Sequence, residues 1–215
     1  MKRSYDLIVP FYDKLVKLIY GNALRNAQTL YLPLIPASSS ILIAGGGTGW
    51  ILEEITKIHQ QGLRIDYIDI SAKMIDEASK KFVGKNQVRF ISQSVLTWQT
   101  DMVYDVIITP FFFDNFSEEN VRKAFNLLHA PLKENGLWFY TDFQVSHNSA
   151  YWQKALLFTM YTFFRLAANI EATKLPDVNS QFSLYKYEPI KTTTFFHHFI
   201  ITTVYKKPVA HLSDF

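Results

Sequence analysis

Residues 41–49 read Ile41-Leu42-Ile43-Ala44-Gly45-Gly46-Gly47-Thr48-Gly49, and a helix-like stretch, Trp50 to His59, follows at once. A short apolar run rich in β-branched residues suits a strand buried on both faces of a parallel sheet. Glycines just past its end let the backbone turn sharply and approach a ligand without a Cβ in the way. The helix behind them aims free N–H groups and its positive dipole end at whatever fills the turn. The segment therefore predicts a strand-turn-helix that binds a nucleotide. A dinucleotide fingerprint wants glycines at its first, third and sixth places. Here Gly45 and Gly47 take the first two and Trp50 the sixth, where an indole obstructs close helix packing. The next apolar run, Ile65 to Ile70, carries Asp69 near its end, roughly 20 residues on, where a carboxylate can bond ribose hydroxyls.

Outward from this core the chain alternates strands and helices, which argues a parallel sheet with crossover helices. Helices are expected at Tyr5–Ile19, Ala23–Tyr31, Trp50–His59, Ala72–Phe82, Glu118–Leu128 and Tyr151–Ala168. Strands are expected at Ile41–Ala44, Ile65–Ile70, Val88–Ile91, Val106–Thr109, Leu137–Asp142, Ile190–Phe196 and Phe199–Tyr205. The last two are separated by almost nothing, so they form an antiparallel hairpin around His197-His198. If the sixth strand runs with the others, that turn and His147 open on the ligand-binding edge. Imidazole changes charge near neutral pH, which makes these three histidines candidate bases beside the plainer reading of solvated loops.

The chain of 215 residues is 48% hydrophobic, with 18 Phe and 12 Tyr, enough for one α/β core and too short for a second full domain. Many of the aromatics lie in the C-terminal half, at Phe111–Phe116, Tyr151–Phe164 and Phe195–Tyr205, suggesting core packing and, together, an apolar substrate cavity. A net charge of +3 with lysines and arginines at most in pairs gives no basic stripe for nucleic acid. The absence of cysteine excludes disulfides and thiolate metal sites, and no metal is expected. Asp6 and Asp13 interrupt any leader-like stretch, and Lys154 and Arg165 interrupt the apolar segment Tyr151–Ile170. The expectation is a cytoplasmic protein, with contact of that segment with substrate, partner or a membrane surface left open.

Four segments in register resemble class I S-adenosylmethionine-dependent methyltransferases. They are Gly45-Gly46-Gly47-Thr48-Gly49; Tyr67-Ile68-Asp69-Ile70-Ser71 running into Ala72–Ala78; Tyr104-Asp105-Val106-Ile107-Ile108-Thr109; and Leu132-Lys133-Glu134-Asn135-Gly136, similar to the family's turn before the fifth strand. The resemblance covers residues 38–145 and, loosely, Thr192 to Lys206. It implies a seven-stranded Rossmann-like doubly wound sheet with an antiparallel C-terminal strand and an N-terminal helical lid. On that reading 1–215 is one domain, with 1–37 the lid and 38–215 the core. The implied cofactor is S-adenosylmethionine.

By the same resemblance Gly45, Gly46, Gly47, Thr48 and Gly49 grip the methionine moiety, and Asp69 accepts the ribose hydroxyls. Ile70 and Met74 sandwich adenine, Ser94 and Val95 meet its edge, and Thr109 and Pro110 border the methyl donor. Two positions depart from the family: Ile43 stands where an acid is frequent, and Ser94 where many relatives carry Asp. The opening Tyr5–Asp13 resembles that of quinone-biosynthesis and phospholipid methyltransferases, which places Tyr12 over the donor as a further catalytic candidate. The function so implied is methyl transfer to a small or medium acceptor that is apolar, aromatic or lipid-like. A noncatalytic S-adenosylmethionine-binding module is the alternative, and a nucleotide-dependent reductase is disfavoured by Trp50.

Overall fold

A computed structural model describes residues 20–145, 151–153 and 174–209. Strands β1 (Ser40–Ala44), β2 (Gln61–Asp69), β3 (Lys85–Ser92), β4 (Tyr104–Pro110), β5 (Leu132–Phe143), β6 (Glu188–Phe195) and β7 (Ile200–Lys206) form one sheet in the order β3-β2-β1-β4-β5-β7-β6. The first five are mutually parallel, and β7 runs antiparallel to both of its neighbours. This is the Rossmann-like α/β sheet with a reversed final strand that the sequence implies. Strand β6 is consequently parallel to β5, and the hairpin turn after it opens on the same edge as the ends of β1, β2 and β4.

Five helices accompany the sheet among the described residues: α1 (Ala23–Thr29), α2 (Trp50–Ile58), α3 (Ala72–Ser79), α4 (Glu118–His129) and α5 (Asn179–Leu184). Successive side chains of a strand point to opposite faces, and all five residues of β1 are buried. Ile41 and Ile43 pack with Ile51, Leu52 and Ile55 of α2 and Ala78 of α3. Leu42 and Ala44 pack on the other face, with Val121, Ala124, Phe125 and Leu128 of α4. Burial on both faces is why this strand reads as an unbroken apolar run. Serines start two of the helices: Ser71 Oγ accepts the Met74 N–H and Ser117 Oγ the Asn120 N–H.

Much of the aromatic excess is core. Trp138 stacks on Phe125 at 4.8 Å between centroids and donates its indole N–H to Thr109 Oγ1 at 2.9 Å. Phe182 of α5 lies 3.9 Å from Tyr205 of β7. A smaller cluster of Tyr20, Leu24, Ala27, Phe143, Phe199 and Ile200 sits under α1 at the far end of the sheet.

Three strands begin earlier than the apolar pattern predicts: β2 at Gln61, β3 at Lys85 and β5 at Leu132. In β5, Leu132 pairs with Tyr104 and Leu137 with Val106, so Lys133–Gly136 bulges out with Asn135 at φ 60°. Turn-forming residues here lengthen a strand rather than precede one. Helix α5 has no counterpart in the sequence reading, because Asn-Ser-Gln-Phe-Ser-Leu buries only Phe182 and shows no helical period. The expected helix Tyr5–Ile19 lies outside the described residues, as does Tyr151–Ala168 apart from a helical start at residues 151–153. Among the described residues no helix is long and apolar enough to cross a membrane.

Trp138 is fully buried. Trp138→Ala should cost about 3–5 kcal/mol of folding free energy, read from urea unfolding; a loss under about 1 kcal/mol would mean that the aromatic stack is not a structural core.

Candidate functional site

The glycine turn between β1 and α2 and the end of β2 meet directly. Gly45 N–H donates to Ile68 O at 2.9 Å, Gly47 N–H to Asp69 Oδ2 at 3.1 Å, and the Tyr67 hydroxyl to Gly47 O at 3.1 Å. Asp69 Oδ1 accepts the Ser71 N–H at 2.9 Å, at the start of α3. The cradle and the carboxylate therefore share one edge of the sheet. Burial pushes the Asp69 carboxyl up, while the N–H groups of Ser71, Gly47 and Ile70 pull it back toward the charged form.

Each glycine answers to a different neighbour. A Cβ on Gly46 would stand 2.3 Å from the Tyr67 hydroxyl, and one on Gly45 2.7 Å from the Phe112 ring. Gly49 has φ 82°, and a Cβ there would lie 2.6 Å from the backbone of Ala78. Gly47, at φ 64°, has nothing within 4 Å of its Cβ position and presents an open face. Thr48 is buried. Trp50 points elsewhere: its ring lies 4.9 Å under the Arg25 guanidinium and packs on the Ile41–Ile43 side of the sheet. The cleft is not plugged by indole.

The remaining adenine-side residues gather at the same edge. Gln93 N–H donates to Asp69 O at 3.0 Å, bringing the turn after β3 alongside. Within it Ser94 Oγ accepts the Leu96 N–H at 3.3 Å and Val95 is buried. Met74 is buried and Ile70 is 37% exposed. At the end of β4, Pro110 is buried and Thr109 turns its hydroxyl inward to the Trp138 indole. His197 and His198 are exposed on the β6–β7 turn, His198 Nδ1 lying 2.7 Å from Thr194 Oγ1. Phe196, His197 and His198 all have positive φ, a strained run held by Gln153 Nε2 and Gln144 Nε2 donating to the His197 and His198 carbonyls. Tyr12 and His147 lie outside the described residues.

Two acids that the sequence reading did not single out stand at the ends of β4 and β5. Asp142 is fully buried and accepts N–H bonds from Phe143 at 2.8 Å and Phe113 at 3.2 Å. Asp114, also buried, accepts from Asn115 Nδ2 at 2.6 Å. Burial, reinforced by the charge of Asp142, pushes Asp114 well above the carboxylate range; burial raises Asp142 to about 7. The signal was available: one acid set among five phenylalanines in Phe111–Phe116, and one at the end of an apolar strand.

With this geometry in view, comparisons with known proteins agree on one architecture. Residues 41–136 match the family model described as a methyltransferase domain. A malonyl-[acyl-carrier protein] O-methyltransferase of Ilyobacter polytropus is 31% identical over 104 residues, 48% of this chain and 39% of that protein. The chain thus spans well under two thirds of the length of the curated relative it matches. The N-methyltransferase NodS from Bradyrhizobium japonicum, solved with S-adenosylhomocysteine, superposes at TM-score 0.70 with 13% identity, covering 96% of this chain and 97% of that one. A Burkholderia thailandensis 1,6-didemethyltoxoflavin N1-methyltransferase, solved with its acceptor and S-adenosylhomocysteine, gives TM-score 0.65 at 11% identity over 96% and 87%.

The acid pair carries a pH signature. Between the ordinary carboxylate value near 3.8 and about 7, the native pair keeps a proton that the unfolded chain has released. Stability contributed here therefore falls as pH rises through that window and levels off above it. Asp114→Asn removes one charge and should shrink the drop in urea midpoint between pH 5 and pH 8; an unchanged drop would mean that the pair does not titrate there.

Proposed function

The chain carries a class I S-adenosylmethionine-dependent methyltransferase domain with S-adenosylmethionine as its cofactor, and we propose that it is a single-domain enzyme transferring a methyl group to a small or medium acceptor with an apolar or aromatic body. The observation that carries the reading is the contact of the glycine turn with Asp69 on the edge where ligands bind in open α/β sheets. The residues fit the cofactor. An unobstructed Gly47 faces the cleft, and the amides of the turn and of the α2 N-terminus suit a carboxylate. Asp69 keeps lone pairs for ribose hydroxyls beside its two backbone donors. Ile70 and Met74 offer apolar surface for adenine, with Ser94 and Val95 at its rim.

When bound, the sulfonium supplies an activated methyl group, so the protein's task is to align and dehydrate. Holding the two reactants in line is worth up to roughly 7–11 kcal/mol of barrier. Phe112, packed against Gly45, closes one wall of the donor turn. Phe111 and Phe143, 4.8 Å apart, extend an aromatic wall from the ends of β4 and β5 toward the β6–β7 turn. That wall supports an apolar body on the acceptor.

Calorimetric titration of the full chain with S-adenosylmethionine, S-adenosylhomocysteine and NADH tests the donor reading. Micromolar affinity for the first two is expected, with none for NADH. Asp69→Ala should weaken both about 10- to 100-fold, the loss of charged hydrogen bonds worth about 1.5–3 kcal/mol. Binding of NADH alone would overturn the reading, and donor binding without transfer of labelled methyl to any acceptor would favour the noncatalytic module.

A further inference from the structure

The acids at the ends of β4 and β5 are unequal. Asp142 spends both oxygens on backbone N–H groups and holds the segment Phe113–Asn115 in place. Asp114 is 7% exposed, and its donors are Asn115 Nδ2 and its own N–H, which leaves acceptor capacity unused. An ionised carboxylate has about four acceptor sites. No lysine, arginine or histidine among the described residues neutralises either acid. A buried negative charge without a counter-ion is costly, and this one persists beside the site where chemistry is expected. Phe112, two residues before Asp114, is the residue seated on Gly45. On the other side the Tyr20 phenol feels the charge of Asp114 and is pushed up by it and by burial. Tyr20 in turn lies 5.6 Å from Phe143 and 5.4 Å from Phe196 between centroids. Aromatic faces attract cations. The acid and the rings thus favour the same kind of guest.

We propose that Asp114, held in place through Asp142, receives the protonated nitrogen of the methyl acceptor, so that the acceptor is an amine on an apolar or aromatic body. The proposal rests on the donor reading above and names the substrate class of that same site. Asp114 accepts one N–H proton from the ammonium. The freed nitrogen lone pair forms the N–C bond while the C–S bond breaks and its electron pair stays on sulfur. The products are the methylated amine and S-adenosylhomocysteine, with the proton left on the carboxylate pair. A carboxylate acceptor, such as the name of the Ilyobacter relative describes for that protein, would meet like charge here.

The test uses the full chain saturated with S-adenosylhomocysteine, whose binding is first established by calorimetry. Benzylamine, benzyl alcohol and benzoate are then titrated by NMR. The amine should bind at least about tenfold more tightly than either isostere, since one charged hydrogen bond supplies that much. Asp114→Asn should erase the preference while S-adenosylhomocysteine affinity stays within about threefold, and should lower kcat/KM for amine methylation about a hundredfold, two charged hydrogen bonds' worth. Equal binding of the alcohol or benzoate overturns the proposal, as does a preference that survives Asp114→Asn or a loss of donor affinity in that variant. Should the variant not fold, the wild-type ranking of the three probes decides alone. A chain that binds no S-adenosylhomocysteine overturns the donor reading itself, before any acceptor is added.

Discussion

The hydrogen-bond ladder of β1 with β2 on one side and β4 on the other is the constraint from which the rest follows. Ile41, Leu42 and Ile43 each face a partner on both neighbours, Ile65, Asp66 and Tyr67 in β2 and Val106, Ile107 and Ile108 in β4. Because all three strands run parallel, their chain ends emerge on one edge. Gly45, Asp69 and Phe111 are neighbours for that reason alone, although they are far apart in the chain. The bonds from Gly47 to Asp69 and from Tyr67 to Gly47 then lock turn to strand end. The tight contact below Gly46 explains why a glycine is needed where no ligand touches: Tyr67 already occupies the space of a side chain.

The same edge collects charge that the interior would otherwise reject. Asp69 is stabilised by backbone N–H groups, so its charge is bound to the fold itself. Asp142 is treated likewise. Asp114 is the exception, and its position between the donor turn and the aromatic cluster around Tyr20 sets it apart from the surface acids, which pair with lysines as in Lys80 with Asp76 and Glu77. Those exposed pairs are worth little. The elaborate buried pairing of Asp66 with Arg89 and Tyr104 fastens β2 to its neighbours and lies away from the site.

How legible the site was varied with the kind of signal. The glycine run, Asp69 and the capping Ser71 are local patterns whose geometry follows from a strand-turn-helix, and the structure assembles them as such. Trp50 was legible only as an obstacle to a dinucleotide; its actual stacking on Arg25 depends on α1 crossing nearby. The starts of β2, β3 and β5 were hidden because their first residues are polar and half-solvated, held by neighbours rather than by an apolar period. Helix α5 was hidden for a related reason: a single stacked ring, Phe182 on Tyr205, does the work of an apolar face. Asp114 and Asp142 were each visible, but nothing in the chain order brings residues 28 positions apart together.

By itself the sequence determined the parallel α/β sheet, the reversed last strand and the nucleoside-binding turn, because alternating burial periods, glycines and a carboxylate at a strand end act over a few residues. Tertiary structure alone decided which acids lose their counter-ions, which rings become core and which line the acceptor side, and where the indole of Trp50 goes. These outcomes depend on desolvation and contact between strands that only the folded sheet sets side by side.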